Sequence, residues 1–147
     1  VDPELHTVRY AFDSAYQRMC EAETDDALMA ELSNLLHHMY RLRMLCISRL
    51  GKAGFHAKQA TADLRAATAA SWARNADTHK LYGPAAQQPV YANVYTARYG
   101  VLVWRPRSSV PAAPDKDGRY LDYEQVLEGK VVLATLRRAF DAMAALL

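Results

Sequence analysis

Between Asp25 and Gly51, the residues Leu28, Leu32, Leu35, Met39, Leu42 and Cys46 recur at alternating steps of four and three. That spacing puts them on one stripe of an α-helix, and an apolar seam of that length needs another helix against it to leave water. A chain built around such a seam is expected to be mostly helical. At its start, Thr24 or Asp25 can cap the helix while the nearby acids oppose the dipole favourably. At its end, Gly51 can take the left-handed conformation that closes a helix, with Gly54 just beyond.

The flanking sequence supplies the covering helices. Asp2 before Pro3 starts a first helix over about Pro3 to Ala22, with Val8, Phe12, Ala15, Tyr16 and Met19 as its stripe. A third helix is expected from about Phe55 to Tyr82, stopped by Gly83-Pro84. Its alanines (Ala57, Ala60, Ala67, Ala70, Ala73 and Ala76) allow close backbone approach, so it should be central or at an interface. A fourth helix should run from about Tyr123 to the end, capped by Asp122 and weakened at Gly129. Its core residues are Val126, Leu127, Leu133, Leu136, Phe140 and Met143.

Residues 85–122 break the helical period. Val90, Ala92, Val94 and Thr96 alternate with Tyr91, Asn93 and Tyr95, and the run Val101–Trp104 follows Gly100, so a β-hairpin turning near Gly100 is expected. Pro106 ends it, and the Ser-, Pro- and Asp-rich stretch after Arg107 reads as a surface loop. The expected fold class is all-α. It is an antiparallel four-helix bundle forming a single domain over residues 1–147, with the hairpin and loop inserted between helices 3 and 4.

Composition narrows the function classes. At 147 residues with 51% apolar content, the chain can bury one core and is not disordered. Two cysteines cannot make a disulfide scaffold or a four-cysteine zinc site. Cys20 and Cys46 lie on apolar stripes without flanking bases and read as buried thiols rather than nucleophiles. No window of apolar residues is long enough to span a bilayer, and the N-terminus lacks the layout of a signal peptide, so a cytoplasmic location is expected.

Charge is informative by segment. Residues 1–35 carry a balance of −6, residues 36–107 a balance of +9 and the remainder −1. A basic stretch of that size suits a polyanionic partner. Thirteen arginines against five lysines suit two-point phosphate recognition. The alternative is that acidic and basic helices neutralise one another inside the bundle.

Late in the expected third helix stands Arg74-Asn75-Ala76-Asp77-Thr78-His79. Asn75 and His79 are four apart and share a face, so Asn75 can orient the imidazole. Arg74 and His79 lie about 140° apart around the axis and would flank a groove, which a second copy of the helix could close by two-fold symmetry. This segment resembles the R-x4–6-H motif of the HEPN superfamily, in its form with a polar residue after the arginine. The superfamily comprises α-helical domains of toxin–antitoxin, abortive-infection and CRISPR-associated systems. The resemblance covers the helical two-thirds of the chain. One departure is that members often carry His-x-Tyr, whereas here Lys80 and Leu81 separate His79 from Tyr82.

The resemblance implies a metal-independent endoribonuclease that works as a homodimer without a cofactor, with an antitoxin or a larger defence complex as further partners. Its catalytic residues would be Arg74, His79 and Asn75, with Lys80, Tyr82 and Arg41 as RNA contacts. His79 would serve as general acid or base near neutrality, Arg74 would clamp phosphate, and the RNA 2′-hydroxyl would attack to leave a 2′,3′-cyclic phosphate. The alternative within the same resemblance is a non-catalytic RNA- or nucleotide-binding or oligomerisation module. A helical assembly protein with no RNA affinity is a third reading.

Other chemistry-bearing residues read more plainly. Adjacent His37 and His38 point about 100° apart, which does not suit a shared metal. In the hairpin, Tyr91, Tyr95, Tyr99 and Trp104 interleave with Arg98, Arg105 and Arg107, a pattern that can stack bases but more often packs one face inward. Trp72 reads as a packing anchor.

Overall fold

The computed structural model describes residues 2–79, 95–98, 101–104 and 122–147, with side chains for all of these except 25, 72–79, 95–98 and 101–103. The described residues are mostly helical. Helix α1 spans Pro3–Glu21, α2 Asp25–Leu50, α3 Lys52–Ala57, α4 Ala62–His79 and α5 Val132–Ala144. Strands β1 (Tyr95–Arg98) and β2 (Val101–Trp104) pair antiparallel, and a π-helical turn covers Tyr123–Leu127. The Gly83-Pro84 stop and the loop after Arg107 lie outside the described residues.

Helix α1 starts as its sequence dictates. The Asp2 carboxylate accepts from the N–H groups of Glu4 (2.9 Å) and Leu5 (3.3 Å), satisfying donors a helix start leaves open. Thr24 does the same for α2, accepting from the Ala27 N–H at 3.1 Å. Both stripes turn inward: Val8, Phe12, Ala15 and Met19 of α1 are buried, as are Leu32, Leu35, Met39, Leu42 and Cys46 of α2. Arg49 meets Asp2 and Glu4, while Arg18 meets Glu31, so the two helices run antiparallel. Helix α5 crosses α1 through Phe12 stacked on Phe140, centroids 4.0 Å apart. The ion pairs Arg9–Asp141 and Arg137–Asp13 flank that stack.

Three expectations about helix ends need correction. Gly51 has positive φ (75°), but its ψ of 156° is extended rather than left-handed helical, and α3 begins at the next residue. Only glycine takes that backbone readily. The expected third helix is split: α3 ends at Ala57, and Thr61 caps a new helix by accepting from the Leu64 N–H at 3.3 Å. Asp122 does not cap the last helix. Its carboxylate is held by Arg65 at 2.8 Å, and the chain breaks at Gly129 (φ 74°) between the π-helical turn and α5.

Helix α4 is the centre of the molecule. Six consecutive residues, Ala66 to Ser71, are all buried. Six residues go round more than one full turn, so this stretch is enclosed on every side. Alanine makes that enclosure feasible, because α2, α5 and the π-helical turn, which all contact α4, can approach its backbone closely.

Among the described side chains, Trp104 anchors the hairpin. Trp104 is fully buried, its Nε1–H donates to Thr135 Oγ1 at 2.8 Å, and Tyr123 meets it edge-on. The Trp104 N–H donates to the Lys130 carbonyl and the Gly129 N–H to the Trp104 carbonyl, at 3.0 and 2.9 Å. Trp104 is therefore a packing residue and not a base stacker.

Candidate functional site

Arg74, Asn75 and His79 stand on the last turns of α4, on one unbroken helical backbone. At 1.5 Å per residue, His79 lies about 20 Å along the axis from Arg65. Asn75 and His79 extend the column of Ala67 and Ser71, and Arg74 extends that of Ala66 and Ala70, by the four-residue repeat. All four of those preceding residues are buried, and Ser71 Oγ donates back to the Ala67 carbonyl at 3.2 Å. The side chains of Arg74, Asn75, His79 and Trp72 lie outside the described residues, as do Lys80 and Tyr82 altogether.

The side chain of Arg41 is described. It is exposed on α2 and lines a cavity of about 510 Å³ walled by α1 and α2, in which no residue of α4 takes part.

Helix α2 carries two further groups. Arg43 is only 4% exposed, with its guanidinium 5.8 Å from the centroid of the Phe55 ring. A buried guanidinium is expensive unless neighbours compensate its charge, and the aromatic face supplies part of that. A signal for it existed in the sequence: Leu36, Met39, Arg43 and Cys46 form a second three-four stripe, with arginine at an apolar position. His38 is half-buried, its ring edge-on to that of exposed His37 at 5.7 Å, and its buried Nδ1 has no hydrogen-bond partner. Burial first, then the neighbouring cations His37, Arg41 and Arg18, hold its pKa below the usual histidine value, against an opposing pull from Glu31. Among the described residues no cluster of histidine, cysteine or acidic side chains could hold a metal ion.

The thiols differ. Cys46 is buried, donates to the Met143 carbonyl at 3.5 Å, and is pushed up to about 11 by burial. Cys20 is exposed, contrary to expectation, because it follows buried Met19 by about 100° of helix rotation.

Part of the segmental charge is paired internally. Arg49 of the basic stretch binds Asp2 and Glu4 of the acidic one, and Arg65 binds Asp122. Among the described bases of residues 36–79, Arg41, Lys52 and Lys58 make no ion pair. No helix among the described residues is long and apolar enough to cross a membrane.

Comparison with protein-family models, curated proteins and solved structures returns no match for this chain.

Proposed function

We propose that the chain is a metal-independent endoribonuclease of HEPN type, acting as a homodimer in toxin–antitoxin or phage defence. The observation that carries this reading is the Arg74-Asn75-x3-His79 segment on the helical backbone of α4, directly after residues 66–71, which are all buried. A rigid helix holds catalytic groups at a fixed mutual angle, which positioning by a loop would not do. The separation of Arg74 and His79 around the axis suits a furrow closed by a second copy of α4. In that furrow Arg74 neutralises the charge growing on the phosphate, His79 moves the proton between the 2′-hydroxyl and the leaving oxygen, and Asn75 orients the imidazole. Lys80, Tyr82 and Arg41 are the further RNA contacts of this proposal.

The bundle architecture of that superfamily is part of the same proposal. What supports it is the mostly helical chain and the antiparallel packing of α1 on α2 and of α5 on α1.

The test is incubation of the purified chain with total RNA in EDTA, read by gel and by end-group analysis. Cleavage leaving 2′,3′-cyclic phosphate and 5′-hydroxyl ends is the expected result. Retention of RNA without cleavage overturns the enzyme in favour of a binding module. Absence of any salt-dependent affinity overturns both in favour of an assembly protein.

A further inference from the structure

No residue of α4 is among those lining the α1–α2 cavity, whose wall combines an apolar patch with polar and charged side chains. Its walls run from Arg41 through Met44 and Leu45 to Ser48 on α2, against Glu4 and Val8 on α1. Arg41 and Ser48 are seven positions apart on the helix, making a trough about 10 Å long. Val8 and Leu45 are buried and form an apolar floor, and Met44 is 41% exposed beside it, a large apolar side chain at the surface. Its volume of about 510 Å³ falls among ordinary small-molecule sites.

The two ends of the trough differ in charge. At the Ser48 end, Glu4 and Asp2 are both held by Arg49, at 2.7 and 3.2 Å, so the carboxylates there are already compensated. Arg41, at the opposite end, makes no ion pair among the described residues. The trough thus offers one uncompensated cation, an apolar middle and a neutralised far end. Tyr40, Ser48 and Thr7 also line it with hydroxyl groups, of which that of Thr7 already donates to the Pro3 carbonyl at 2.9 Å. A nucleobase or peptide laid over Val8 and Leu45 would lose water from its polar edges there, whereas an acyl chain would not.

We infer that the α1–α2 trough binds a small amphiphilic anion, with a carboxylate head on Arg41 and a medium-length acyl chain over Val8, Met44 and Leu45.

The test uses the full chain and titrates octanoate, butanoate, inorganic phosphate and adenosine 5′-monophosphate, read from amide resonances of Val8, Met44 and Leu45. Each methylene withdrawn from water is worth about a fourfold gain in affinity at full burial. Octanoate should therefore bind at least about tenfold more tightly than butanoate, with phosphate weaker still. Arg41→Ala should weaken octanoate about five- to tenfold, and Met44→Asp should abolish the chain-length dependence. Both positions are exposed, so circular dichroism of each variant should match the parent. Equal affinity for phosphate and octanoate, preference for the nucleotide, no binding of octanoate, or binding indifferent to Arg41→Ala each overturns the inference. None of these outcomes depends on whether the chain cleaves RNA.

Discussion

At the scale of single residues, environment separates groups that the sequence makes look alike. Cys20 and Cys46 both read from the sequence as lying on apolar stripes, yet one is exposed and the other buried with its thiol pushed up to about 11. A thiol-specific reagent at pH 8 should modify one cysteine in the native protein and two in denaturant. Rapid modification of both in the native state would contradict the buried assignment. His38 makes a pH prediction. Its pKa is lowered in the folded chain, first by burial and then by His37, Arg41 and Arg18, so the unfolded chain binds the proton more readily. Its contribution is therefore fully present above the ordinary histidine value of about 6.5 and is lost as pH falls through the lower folded value. Asp2 and Glu31 act in the same direction in a more acidic window. Burial raises each carboxyl, but hydrogen bonds (from Leu5, Glu4 and Arg49 on Asp2, from Arg18 and Asn34 on Glu31) more than offset it. Thermal unfolding followed from pH 7.5 to 5 should show a loss of Tm that His38→Gln reduces; an unchanged slope in that variant would exclude His38 as its source.

At the scale of elements, the apolar seams were legible and the breaks were not. Periodicity placed α1 and α2 to within a residue or two, because a four-three stripe with a capping Asp2 or Thr24 admits little else. The hairpin was legible for the same reason, since alternation and Gly100 fix its centre. The split at residues 58–61 was hidden because Lys58, Gln59 and Ala60 are all tolerated in helices, and only the later capping by Thr61 marks the restart. Asp122 was misread because a local cap competes with a distant cation: Arg65 takes the carboxylate instead, and its guanidinium also reaches Gln125. Trp104 gives a sharp test of how the hairpin is held. Trp104→Ala should destabilise the chain by about 3–5 kcal/mol, the usual loss for a buried aromatic. Trp104→Phe should recover part of that while leaving the Thr135 hydroxyl without its indole partner. Chemical denaturation measures both, and a loss below about 1 kcal/mol for Trp104→Ala would mean that the residue anchors nothing.

At the scale of the whole molecule, the charge asymmetry shows why segment sums overstate a basic surface. Arg49 and Arg65 stand in the basic stretch, yet each is spent on an acid brought close by folding, which no linear reading reveals. The Arg74–His79 segment was legible as a motif on a helix, and its backbone is helical through His79. If RNA is the partner, affinity should fall as salt rises, with a slope set by the number of phosphate contacts. Binding at two ionic strengths measures this, and salt-independent retention would point to a different partner class. The central claim is that α4 presents a guanidinium and an imidazole that together cleave RNA without metal. The most direct test is the cleavage rate of an end-labelled RNA in EDTA by the parent chain, by His79→Ala and by Arg74→Ala, with circular dichroism and mass in solution measured alongside. The account predicts a loss of about a hundredfold or more for each variant, with helicity and dimer mass unchanged. Undiminished cleavage by the His79→Ala protein would contradict it.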